Sequence, residues 1–202
     1  APGSPVTEAG LSPAGISAKH AGDLLRAIDE SSRSRSGEVV QVLAGATALQ
    51  QRVTVANSRG VCACDERKRA FIAVTVVARR AQVVQTGRET LALSGVFDPP
   101  AAEQVTALGR AAADKAIVML GARPSPTGRM PVVLARGFGG VLFHEACGHG
   151  LEADYILKRT SVWKGKLGTR VAPSFLTAYD DGRGAGLWGT NLIDDEGSPT
   201  QR

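Results

Sequence analysis

The sequence predicts an α+β fold: an antiparallel sheet with packed helices, followed by the start of a β-rich domain that carries a His-Glu-x-x-x-His helix. Three observations predict it. Residues 38–86 hold runs of β-branched side chains separated by turn signals. Residues 101–119 carry apolar side chains at helical spacing. Residues 121–128 form a Pro-, Gly- and Ser-rich break, which divides the chain into 1–125 and 126–202.

The elements follow in order. Residues 1–16 are rich in Pro, Gly and Ser and read as a loose lead-in. Residues 16–28 read as an amphipathic helix with Ile16, Leu24, Leu25 and Ile28 near one face. Residues 31–37 read as a polar linker. Strands are expected at 38–43, 51–56, 61–64, 70–78 and 82–86, with turns at Ser58-Arg59-Gly60 and Gln85-Thr86-Gly87. Short strands joined by short turns make an antiparallel meander. Asp98-Pro99-Pro100 then opens a helix, because Asp caps well and Pro at the first helical position loses no hydrogen bond. Its apolar positions are Ala101, Val105, Leu108, Ala112, Ala116 and Met119. Beyond the break, residues 130–135 read as a short strand and 137–140 as a glycine-rich approach to the motif helix. Residues 159–202 read as short strands between Gly-rich loops. No internal repeat is present.

Composition bounds the function. The 202 residues are 43% hydrophobic and 21% charged, which fits a soluble globular chain. Aromatics are only 4%, so the core is aliphatic. The net charge of +5 comes from scattered basic residues. Clusters such as Arg67-Lys68-Arg69 and Arg79-Arg80 lack interleaved aromatics, and no nucleic-acid-binding module is recognisable, so nucleic acid is not the expected partner. Three cysteines, Cys62, Cys64 and Cys147, give no disulfide framework and fit a reducing cytoplasm. No apolar run reaches the ~20 residues of a membrane span, and no signal segment is seen.

The chemistry-bearing segment is Gly139-Gly140-Val141-Leu142-Phe143-His144-Glu145-Ala146-Cys147-Gly148-His149-Gly150-Leu151-Glu152. His-Glu-x-x-His is the common zinc-peptidase spacing, which places both histidines on one helix face. Here the spacing is five. On an ideal α-helix that separates the rings by ~140°, too far for one ion. A π-type turn of ~4.4 residues restores a shared face, and Gly148 tolerates the distortion. His144 and His149 would then be metal ligands and Glu145 the group that takes a proton from metal-bound water. Spacing alone leaves open that the two histidines are simply hydrogen-bonded polar residues beside a core.

The segment through Asp154 closely resembles the active-site segment of the TldD/PmbA metallopeptidases. Downstream, Lys158-Arg159-Thr160-Ser161, Lys166-Leu167-Gly168, Asp180-Asp181-Gly182 and Asp194-Asp195-Glu196-Gly197-Ser198-Pro199-Thr200-Gln201 resemble that family's catalytic members, and upstream the strands around Ser58-Arg59-Gly60 and Ser94-Gly95 resemble its N-terminal α/β domain. The resemblance implies a Zn2+-dependent peptidase acting on peptides or unfolded polypeptides, including enzymes that trim leader segments. It implies a homodimer, or a heterodimer with a TldE/PmbA-type subunit that lacks the motif. By it, His144 and His149 match the zinc ligands and Glu145 the catalytic glutamate. It also implies a chain more than twice as long, extended at both ends, with the third zinc ligand a cysteine in a C-terminal barrel beyond Arg202.

Other residues have two readings each. Cys147 reads as a small buried side chain rather than a third ligand. Cys62 and Cys64 share a strand face as packing residues, exposed thiols or half a metal site. Glu152 and Asp154 either support the histidines or solvate the helix end. His20 reads as a surface residue. Asp194-Asp195-Glu196 reads as an acidic loop opening a turn at Gly197, and 182–189 as a loop with no phosphate-cradling pattern. The alternative to an enzyme is a truncated, inactive interaction or dimerisation module of such a peptidase.

Overall fold

The computed structural model describes residues 18–94, 100–135, 137–184 and 187–202. Its elements are α1 (Ala18–Arg33), β1 (Val39–Ala56), β2 (Cys62–Arg80), β3 (Val83–Ser94), α2 (Ala102–Met119), α3 (Phe138–Phe143) and α4 (Ala153–Leu157). A π turn (His144–Gly148) and a 3-10 turn (His149–Leu151) lie between the last two helices. Two compact units result: Ala1–Arg123 with Asp180–Arg202, and Pro124–Tyr179.

In the first unit the three strands form one antiparallel sheet in the order β1-β2-β3. Alternate residues of β2, Ala70, Ile72, Val74, Val76 and Ala78, are buried, while their neighbours are half-exposed. The strand period of two therefore selects one face for the core. Helices α1 and α2 cover that face through Leu24 and Ile28, and through Val105, Ala112, Ala113 and Ala116. Leu25 and Leu108 pack at its margin. Ala101 and Met119, expected on the buried stripe of α2, are exposed, and Ile16 lies outside the described residues.

The meander is as expected, but its strands are longer than the sequence divides them. The stretches 38–43 and 51–56 belong to one strand, as do 61–64 and 70–78. Ser58-Arg59-Gly60 is the turn between them. Gly60 takes φ +86, and the Asn57 side-chain oxygen accepts the Arg59 amide at 2.9 Å. Gly87 is not a turn residue. It lies within β3 opposite Val76, and a Cβ there would come within 2.1 Å of the Ala112 carbonyl oxygen. This glycine admits the backbone of α2 against the sheet.

Residues 31–37 are not simply a linker. Helix α1 runs to Arg33, and Ser31 and Ser32 are buried. The Ser32 hydroxyl bonds the Ile28 carbonyl at 2.7 Å and lies 3.1 Å from that of Gly109 in α2. Satisfied in this way, the serines cost little to bury. Asp98 and Pro99 lie outside the described residues. The residue capping α2 is Ala101, whose amide donates to Gln104 Oε1 at 3.0 Å.

Residues 190–193 dock on β2. Asp65, 2% exposed, pairs with Arg67 at 2.8 Å and accepts the Leu192 amide at 3.0 Å. Arg67 donates to the Ile193 carbonyl, and Arg69 to Asn191 Oδ1 at 2.8 Å. Burial alone would raise the Asp65 carboxyl, but Arg67 and the amides of Leu192 and Ile193 hold it below its ordinary value.

In the second unit, residues 130–135 pair with no strand among the described residues. Residues 159–179 of this unit, and the described part of 180–202 in the first unit, are turns and loops, with one isolated bridge in the latter, Ile193 to Pro199. A strand exists only where a neighbour takes its amides and carbonyls, and here turn hydrogen bonds take many of them. No helix among the described residues is long and apolar enough to cross a membrane.

Candidate metal centre

Gly137, at φ +93, precedes α3 and turns the chain into the motif helix. After Phe143 the helix widens: the His149 amide donates to the carbonyl of His144, five residues back. This is the π turn that the five-residue spacing requires. It brings the two imidazoles together, with His144 Nε2 and His149 Nε2 3.2 Å apart and ring centroids at 4.4 Å.

Gly148 has a different role from the one expected. Its φ is −61, an ordinary helical value, so backbone freedom is not the reason for glycine. A Cβ there would stand 2.9 Å from His144 Nδ1. Glycine leaves room for the imidazole to lie over the turn.

Glu145 Oε2 stands 3.5 Å from His149 Nε2. On the far side of the ring, Glu152 Oε1 lies 2.5 Å from His149 Nδ1. A neutral His149 then carries its proton on Nδ1, toward Glu152, and turns the lone pair of Nε2 toward His144. The Glu152 hydrogen bond raises His149 above the usual imidazole range; partial desolvation opposes this and the Glu145 charge adds to it.

His144, Glu145 and His149 form the one group of potential metal ligands among the described residues, with donor atoms within 4.8 Å of each other. The donor set fits zinc. Two nitrogens each ~2.0–2.1 Å from a tetrahedral zinc lie about 3.3–3.4 Å apart, close to the separation observed. All three residues are exposed, as an open coordination position requires.

The other candidates fall outside this group. Cys147 is half-buried, and Cys62 and Cys64 are exposed on β2. Glu152 supports His149, whereas Asp154 pairs with Lys158 at 2.9 Å. His20 is half-buried on α1 rather than a surface residue. Asp194 is a turn former whose Oδ1 accepts the amides of Glu196 and Ser198. Sequence reasoning named Ser161 only within the resemblance, with no role of its own, and missed Trp163; both close on Gly150 beside His149. They lie on a loop 11 to 13 residues away in the chain, beyond the reach of any periodic signal.

Comparison with known proteins places this site in a family. The chain matches the PmbA/TldA metallopeptidase central domain over residues 11–120 and the C-terminal domain over 127–202. It is 33% identical over 186 residues to a metalloprotease TldD homolog of Haemophilus influenzae, covering 89% of this chain and 38% of that protein. A metalloprotease of Methanothermobacter thermautotrophicus is 35% identical over 125 residues, 62% of this chain and 28% of its own length. The fold is similar to a crystal structure from Thermotoga maritima, of a protein described as a candidate modulator of a DNA gyrase. The TM-score is 0.66 at 22% identity, over 91% of this chain and 42% of that one. The chain thus spans well under half the length of these relatives, and it belongs to the PmbA/TldA metallopeptidase family.

Proposed function

We propose that the chain is the metal-binding portion of a zinc peptidase that hydrolyses peptides or unfolded polypeptides. The observation that carries this reading is the pair of facing Nε2 atoms 3.2 Å apart across a π turn, with a carboxylate beside them. His144 and His149 hold the ion. When bound there, zinc would supply Lewis-acid chemistry, the polarisation of a carbonyl and the acidification of water. Glu145 stays off the metal and receives the water's proton on a carboxylate oxygen. Glu152 fixes the His149 ring and its tautomer. By resemblance, a cysteine completes the ligand set and the working assembly is a homodimer or a pair with a TldE/PmbA-type subunit; the odd, small number of cysteines fits the cytoplasm as compartment. Residues 126–202 are then the catalytic part.

One observation favours the alternative, an inactive interaction module. The described residues group two histidines and a glutamate, with no third nitrogen or sulfur ligand beside them. Glu145→Gln in the zinc-loaded chain separates the readings. The peptidase reading expects zinc retained and hydrolysis of an unfolded polypeptide lowered by at least ~10²-fold. Zinc binding with no hydrolysis by the unaltered chain would favour the module.

A further inference from the structure

We infer that Ser161 and Trp163 are positioning residues that hold His149 in its metal-facing orientation, an inference that rests on the zinc reading above. The helical path ends abruptly after Leu151. Glu152 turns to an extended backbone at ψ 135, so the Gly150 carbonyl has no continuing helical turn to bond it. The Ser161 hydroxyl takes that role and donates to the Gly150 oxygen. The same hydroxyl accepts the Trp163 amide at 3.0 Å, which places the indole against Gly150. The fit is close. A Cβ on residue 150 would come within 2.7 Å of Trp163 Nε1 and 2.8 Å of its Cδ1.

Gly150 lies between His149 and Glu152, the two members of the 2.5 Å pair that orients the imidazole. Fixing the Gly150 peptide therefore fixes the geometry of that pair. The loop that does so is itself anchored: the Tyr155 carbonyl accepts the Thr160 amide at 3.1 Å and the Ser161 amide at 3.4 Å.

Trp163 is not placed there for its own hydrogen bond. Its indole nitrogen is buried with no partner among the described residues. Nor is the ring part of a closed core. It borders an open recess of about 400 Å³ with Leu151, Ile156 and Leu167, and Leu167 is fully exposed. Removing the ring therefore alters the support of Gly150 without emptying a core.

The test is zinc affinity, with the visible spectrum of the Co2+-substituted chain as a reporter of ligand geometry. Trp163→Ala and Ser161→Ala are expected to weaken zinc binding about 10–100-fold, as for other residues that orient a ligand, and to alter the Co2+ bands. Circular dichroism and the melting temperature should stay unchanged. Trp163→Phe keeps the ring and discards the unpaired N–H, and should bind as the unaltered chain does. Gly150→Ala should weaken binding alone but add nothing in the Trp163→Ala background. Equal affinity and equal Co2+ spectra across all variants would overturn the inference while leaving the zinc reading intact. So would a loss of affinity in Trp163→Ala that Gly150→Ala deepens further. No zinc on the unaltered chain would overturn both.

Discussion

At the residue scale, the candidate metal centre depends on which nitrogen of His149 carries the proton. Glu152 beside Nδ1 stabilises the protonated ring, so His149 holds its second proton to a higher pH than an ordinary imidazole. Removing the carboxylate removes that contribution. In the metal-free protein, Glu152→Gln should therefore lower the His149 titration midpoint in an NMR pH series. An unchanged midpoint would show that Glu152 does not contact the ring in solution. The grouping of His144, Glu145 and His149 was legible in the sequence because their spacing and neighbours encode it directly. Glu152 was legible only as one of two candidates. Its neighbour Asp154 lies two residues along, and only the break in the helix at Glu152 turns one toward His149 and the other toward Lys158.

At the scale of elements, β2 does two jobs with its two periodic sets. Its residues 70 to 78 bury one face under the helices. Its residues Asp65, Arg67 and Arg69 grip the segment 190–193. Asp65 has a depressed folded-state pKa. Its contribution is therefore complete above the unfolded-state value of ~3.9 and is lost as pH falls through the folded value. Asp65→Ala removes one partner of a buried pair, and the acceptor of the Leu192 amide with it, and should cost about 3–5 kcal/mol in denaturant unfolding. It should also speed hydrogen exchange at the Leu192 amide and flatten the loss of stability below pH ~4. Full protection of Leu192 in that variant would contradict the arrangement. The strands themselves were legible as period-two runs. Their true lengths were not, since Gly87 carries a turn signal in one dimension and fills a helix–sheet contact in three.

At the scale of the whole molecule, the α+β class and the motif helix could be read in advance because both rest on local periodicity. The docking of 190–193 could not. Arg67 and Ile193 are 126 residues apart, and nothing in either segment names the other. The same holds for residues 130–135, whose composition is that of a strand but which pair with nothing among the described residues. Local sequence sets a preference for extended backbone, and only a neighbour makes it a ladder. The central claim nonetheless rests on a local feature, the π turn that sets His144 and His149 face to face. It is tested most directly by equilibrium dialysis against buffered free zinc, with metal analysis of the unaltered chain and of His149→Ala. The account predicts one zinc per chain, with affinity lowered at least ~100-fold, or about 2.7 kcal/mol, in the variant. No zinc on the unaltered chain, or zinc held equally well without His149, would contradict it.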